Sequence, residues 1–144
     1  MKKVLLVGVF DLFHFGHLRL LKRAAKLGDY CLVGVKEDNW VLKNKPPGSM
    51  GPLYSTEERA EMIRALRCVD EVFTYRTIGE DIKKLDFDVF VKGPDQIHAD
   101  VQAAVEWCRE NGKEVVVLPR TEGISTTYLK RLVAALGERA DTQA

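Results

Sequence analysis

The 144-residue chain is poor in the features that place a sequence quickly. It has only three cysteines. Cys31, Cys68 and Cys108 are odd in number and far apart, and two of them sit inside apolar runs, which fits buried reduced thiols better than a disulfide framework and points to a reducing cytoplasm. Neither sign of charge is in excess: 22 Lys+Arg stand against 21 Asp+Glu, a formal net charge of +1. That balance gives no basis for a general nucleic-acid or membrane surface. No apolar run approaches the roughly 18 residues that a spanning helix requires. The opening MKKVLLVGVF has a basic start, but its apolar stretch is short and runs into Asp11 rather than a small-residue cleavage site, so it reads as a strand and not a leader. Internal repeats, low-complexity segments and interdomain linkers are also absent. Histidine is scarce, with three in the chain.

What is present is an alternation of short β-rich apolar runs with helix-like segments. VLLVGVF, YCLVGV, DEVFTY, FDVFVKG and EVVVLP read as strands buried on both faces of a parallel sheet. Between the first two runs, Leu18, Leu21, Ala24 and Ala25 recur at helical spacing, and Gly28 marks the expected stop. STEERAEMIRAL opens with Ser55 and Glu58 three residues apart, a capping-box pattern. Residues 98–111 and 125–136 supply further helices. The class is therefore α/β: a Rossmann-like open parallel sheet of about five strands flanked by helices, in a single domain over residues 1–136, with 137–144 expected to be a frayed tail. The one long irregular stretch, KNKPPGSMGPLY at 43–54, carries Lys43 and Lys45 and reads either as a functional loop or as slack with two solvated lysines.

Two turns carry chemistry. His14 and His17 flank Gly16 directly after the first strand, and in an open parallel sheet ligands bind beyond the carboxyl ends of the strands. A glycine lets backbone approach a ligand closely, while a helix start at about residue 17 presents free amides and a positive dipole end that attract phosphate. The imidazoles add donors at the same edge. Either ring alone could be a solvated cap or the partner of a backbone carbonyl. Two histidines without a third nearby ligand make a poor zinc site. In RTEGISTT, Arg120 can neutralise phosphate, Gly123 permits a tight turn, and Ser125, Thr126 and Thr127 place hydroxyls and amides at a helix start. A parallel sheet brings this loop to the same edge as His14. The bland alternative is a plain Ser N-cap with a surface arginine. For Asp11 it is a turn carboxylate bonding its own backbone.

His14, Phe15, Gly16 and His17 match the HxGH signature of the nucleotidyltransferase superfamily, and RTEGISTT resembles the second signature of its cytidylyltransferase branch. The ordered set GVFDLFHFGH, STEERAEMIRALRCVDEV, VKGPD and RTEGISTTYLKRL covers nearly the whole chain. It is most similar to the glycerol-3-phosphate type, with the choline-phosphate, ethanolamine-phosphate and phosphonate types close behind. The resemblance implies transfer of CMP from CTP to a phosphate or phosphonate oxygen of a small acceptor, with release of pyrophosphate and no protein nucleophile. Mg2+ held mainly by the triphosphate, with no protein ligands assigned, and a homodimer are implied as well. By the same resemblance, His14, His17, Lys43 or Lys45, and Arg120 act at the phosphates. Gly8, Val9, Phe10, Gly16, Asp95, Thr121, Gly123, Ile124, Ser125 and Thr126 surround the nucleotide, and Asp11, Arg67 and Arg76 lie toward the acceptor. Arg59 is a weaker candidate with a structural role open. Where the choline branch carries a tryptophan, this chain reads FTYRTIGE, and Arg76 there argues for a polyol phosphate or a second anionic group over choline. An ATP-using adenylyltransferase and a catalytically silent nucleotide-binding module are the competing functions.

Overall fold

A computed structural model of the chain describes residues 1–38, 51–121 and 123–143, with 138–143 as backbone alone. The five apolar runs form five strands, β1 (Lys3–Gly8), β2 (Tyr30–Lys36), β3 (Glu71–Tyr75), β4 (Val89–Lys92) and β5 (Glu114–Val117). All pair in parallel in one sheet of order β3-β2-β1-β4-β5. The helices are α1 (Phe15–Ala25), α2 (Thr56–Arg64), the one-turn α3 (Ile78–Asp81) continued by a 3-10 turn (Ile82–Lys84), α4 (Ala99–Glu110) and α5 (Thr126–Gln143). This is the Rossmann-like α/β architecture that the alternating pattern predicts.

Strand periodicity divides the core. Val4 and Leu6 of β1 face one side, against Leu21 and Ala24 of α1 and Ala60 and Ile63 of α2. Leu5 and Val7 face the other, against Ile78, Ile82 and the Val101, Ala104, Val105 and Cys108 stripe of α4. Burial on both faces holds for β1, β2 and β4, whereas β3 and β5 carry exposed residues. They are the two sheet edges, and their partial cover corrects the expectation of double burial throughout. Strand order reverses between β1 and β4, which opens a crevice beyond their carboxyl ends.

Helix boundaries follow local chemistry. The Ser55 hydroxyl accepts the Glu58 amide at 3.2 Å and the Glu58 carboxylate accepts the Ser55 amide at 2.9 Å, so the capping box forms as expected. α1 starts at Phe15, two residues before the expected position, and ends with Lys26 as its C-cap, short of Gly28. α5 runs past residue 136 to Gln143. Gly137, which lies within it, costs a helix only about 1 kcal/mol relative to Ala. α3 and its 3-10 turn had no periodic signal, being shorter than two helical turns.

Arg59 is fully buried in α2 and is a strut, not a ligand-facing group. Its guanidinium donates to the carbonyls of Val9 (2.7 Å), Lys36 (2.9 Å) and Tyr54 (3.1 Å), to the Thr56 hydroxyl (3.4 Å), and to the Asp38 carboxylate. Removing one partner of a buried pair strands the others. Arg59→Leu is expected to lower unfolding stability by about 3–5 kcal/mol, measured as the shift of a urea midpoint. A loss below about 1 kcal/mol, the size of a surface pair, would remove Arg59 from this role.

Candidate active site

The loop from β1 to α1 is shaped by its two histidines. His14 is the N-cap of α1: its Nδ1 accepts the His17 amide at 3.3 Å, and His17 Nδ1 accepts the His14 amide at 3.2 Å. The pair is a reciprocal capping box built from imidazoles instead of Ser and Glu. With both Nδ1 atoms accepting, the proton of each neutral ring sits on Nε2, leaving that N–H free to donate. The rings stack with centroids 3.8 Å apart, and His17 is further enclosed by Phe10 and Phe13, each 5.5 Å away. Burial, and for His17 also the neighbouring His14, pushes both below the usual imidazole value, His17 to about 4. Both are therefore neutral donors at physiological pH. Gly16 is required by packing: a Cβ there would lie 2.8 Å from His14 Cε1 and 2.9 Å from its Nδ1.

Asp11, only 5 % exposed, sits between Phe10 and Leu12, whose φ values of 56° and 47° lie in the left-handed region. Its carboxylate accepts the amides of Leu53 (2.9 Å) and Tyr54 (3.1 Å) and meets Lys130 Nζ at 3.3 Å. Burial alone would raise its pKa, but these two amides and the ammonium outweigh it and hold the carboxyl below its ordinary value.

The second loop arrives from β5. Gly123 adopts φ 79°, as a tight turn requires. The Ser125 hydroxyl caps α5 by accepting the Tyr128 amide at 3.0 Å, and Thr126 Oγ1 donates to the Asp11 carbonyl at 2.9 Å. α5 is thereby docked onto the histidine loop. Arg120 meets Asp95, from the loop after β4, at 2.9 Å.

Both loops open into one cleft of about 420 Å³. From the first it is lined by Gly8, Val9, Phe10, Asp11, His14, Gly16 and His17, and from the second by Arg120, Thr121, Ile124, Ser125, Thr126 and Thr127, with Asp95 beside them. Gly123 shapes the turn without lining the cleft. Two expected acceptor residues are not brought there. Arg67 is exposed between α2 and β3, before that strand begins, which is the opposite rim of a parallel sheet. Arg76 leaves the carboxyl end of the β3 edge into a separate shallow depression, where its Nε meets Glu37 at 2.9 Å. Lys43 and Lys45 lie outside the described residues. Two polar side chains that line the cleft went unread in the sequence, Gln96 and Lys130. Lys130 had a signal, since it stands one helical turn after Thr126 and so on the same face; Gln96 had none.

The cytidylyltransferase-like family matches residues 5–132, from β1 into α5. The protein belongs to that family. The cytidylyltransferase-like chain is 40% identical over 139 residues to a glycerol-3-phosphate cytidylyltransferase of Bacillus spizizenii, covering 94% of this chain and 100% of that one. It is 41% identical over 122 residues to an FAD synthase of Thermococcus kodakarensis, covering 81% and 79%. A solved lipopolysaccharide core biosynthesis protein from Thermoplasma volcanium superposes with a TM-score of 0.65 at 27% identity, covering 84% of this chain and 97% of that one. The enzyme class is thus nucleotidyltransferase. Among the described residues no helix is long and apolar enough to cross a membrane.

The histidine box makes stability depend on pH. The folded protein keeps His17 neutral down to about pH 4, while the unfolded chain takes up that proton near 6.5. The unfolded state binds more protons in between, so stability is present above 6.5 and is lost as pH falls toward 4. A glutamine at 17 can accept the His14 amide without titrating. Thermal unfolding temperatures of His17→Gln are expected to fall less steeply than wild type across that window. Equal slopes would assign the acid loss to carboxylates instead.

Proposed function

We propose that this enzyme transfers CMP from CTP to the phosphate oxygen of a small phosphorylated acceptor, glycerol 3-phosphate foremost. The observation that carries the reading is the convergence of two capped helix starts and two cations on one cleft at the point where strand order reverses. A helix N-terminus is an anion site through its free amides and dipole. α1 adds the two outward Nε2–H donors, and α5 adds Ser125 and Thr126. A triphosphate spanning both loops would be held at each end. Full-length similarity to a glycerol-3-phosphate cytidylyltransferase favours that acceptor.

The step itself needs no protein nucleophile. An acceptor phosphate oxygen attacks the α-phosphorus of CTP, the new P–O bond forms in line, and the bond to the bridging oxygen breaks so that pyrophosphate leaves with the electron pair. The protein's work is positioning and neutralisation of charge. Neutral His14 and His17 donate to phosphate oxygens through Nε2. Arg120 exchanges Asp95 for phosphate, a small cost for an exposed ion pair worth about 0–1 kcal/mol. Lys130 can exchange Asp11 in the same way, because that carboxylate keeps two backbone amides. Asp11 thus holds the loop as well as lining the cleft toward the acceptor. Lys43 or Lys45 remains the family-type cation for the phosphates. The described residues contain no cluster of three or more potential metal ligands. Mg2+ is therefore taken to enter on the triphosphate, with no protein cage and no step assigned to it. A homodimer and a cytoplasmic location belong to the same proposal.

Similarity to an FAD synthase supports a second reading, adenylyl transfer from ATP. Pyrophosphate release decides between them when CTP and ATP are each offered with Mg2+ and glycerol 3-phosphate, ethanolamine phosphate, choline phosphate, sugar phosphates, small phosphonates or FMN. CTP with glycerol 3-phosphate is expected to be the best pair. Turnover with ATP alone would replace the first reading by the second. His17→Ala is expected to lower turnover with the best pair by about 2–4 kcal/mol of transition-state stabilisation, as for one preorganised donor. Near-normal turnover by this variant would take His17 out of the mechanism.

A further inference from the structure

Gln96 stands where β1 and β4 part. Their ladder is paired through Leu5↔Phe90 and Leu6↔Val91 and then stops, although β1 runs on to Gly8 and β4 to Lys92. The Val7 carbonyl and the Gly93 amide, the groups available to continue it, are both taken by one side chain. Gln96 Nε2 donates to the Val7 carbonyl at 2.9 Å, and its Oε1 accepts the Gly93 amide at 3.0 Å. A carboxamide carries the same donor and acceptor as a peptide unit, so it is spliced into the ladder as an inserted link. The strands are held apart by the width of that link. Backbone fixes the far end of the residue too: Gln96 N–H donates to the Gly93 carbonyl at 3.3 Å, and its own carbonyl accepts from Lys92 Nζ at 3.1 Å.

The position matters for the proposed ligand. β4 lies between β1, which feeds the histidine loop, and β5, which feeds the Arg120 loop. A nucleotide gripped by both loops crosses the end of β4, and Gln96 lines the cleft there. We infer that Gln96 is a positioning residue for the nucleotide, a spacer that keeps the crevice between β1 and β4 open to the width the nucleotide needs. This rests on the nucleotidyl-transfer reading above. Without the spacer, the Val7 carbonyl and the Gly93 amide can bond to each other directly, as ladder partners do, and the crevice narrows while the fold is retained.

The test is steady-state kinetics of Gln96→Ala and Gln96→Glu with whichever nucleotide the wild type uses, together with calorimetric titration of that nucleotide and thermal unfolding of each protein. Gln96→Glu has nearly the same shape and can still accept the Gly93 amide, but its carboxylate cannot donate to Val7. Both variants are expected to raise the KM and Kd for the nucleotide about tenfold, the scale of one hydrogen bond's net contribution. Their kcat and acceptor KM are expected to stay within about twofold of wild type, and Gln96→Ala is expected to keep its unfolding temperature. An unchanged nucleotide KM in both variants overturns the inference. So does a fall in kcat and unfolding temperature together with a rise in both KM values, which is the pattern of general destabilisation. A wild-type protein that turns over and binds neither CTP nor ATP overturns the functional reading, and this inference with it.

Discussion

The carboxyl rim of the sheet is tied together by one buried cation, Arg59. A guanidinium has five N–H donors, and all are committed: to the carbonyls of Val9, Lys36 and Tyr54, to the Thr56 hydroxyl and to Asp38. Val9 follows β1, Lys36 ends β2, and Tyr54 precedes α2, so one side chain joins the ends of two paired strands to the segment that leads into α2. Asp11 completes the clamp from the other side by accepting the Leu53 and Tyr54 amides. The left-handed backbone at Phe10 and Leu12, costing roughly 1–2 kcal/mol at each residue, persists because these bonds hold it. The histidine box is built on the far end of that strained loop.

The electrostatics of the cleft follow from how its polar groups are already satisfied. Protonating His17 would break the bond its Nδ1 makes to the His14 amide and set a charge against a stacked ring, so the pair stays neutral and donates through Nε2. Fixed positive potential comes instead from two helix starts and from Arg120 and Lys130, each balanced by an acid. Asp95 is exposed and surrenders its partner easily. Asp11 is buried and keeps the Leu53 and Tyr54 amides when its cation is drawn away. A polyanion can therefore draw both cations without leaving a carboxylate stranded in a dry site, which a buried unpaired acid would be.

Periodicity and punctuation carried much of this into the sequence. Five apolar runs became five strands, Ser55 and Glu58 became a capping box, and the two loops around Gly16 and Gly123 met at one cleft because a parallel sheet puts every strand-to-helix loop on one edge. Strand order was not legible, and with it went the knowledge that β3 and β5 are edges. The start of α1 was misplaced because His14 and His17 cap it, and imidazoles are not among the usual capping residues. Arg67 shows the limit of reading along the chain: it sits in a motif shared with the family, yet it precedes a strand while the cleft follows strands. Arg76 does follow one, but at the sheet edge, where Glu37 takes it up.

What stayed hidden shares one physical property. Gln96 bonds Val7 across 89 residues of sequence, Thr126 bonds Asp11 across 115, and Arg59 bonds Val9 across 50. Each is a side chain satisfying a backbone group left over where a ladder or helix ends. Such groups must be paired when buried, but nothing local specifies which side chain will do it. Regular structure is legible because its partners lie at fixed offsets. The rim of a parallel sheet is where those offsets run out, and it is also where open α/β sheets bind their ligands. The residues that shape the site are therefore drawn from the contacts that sequence pattern describes least.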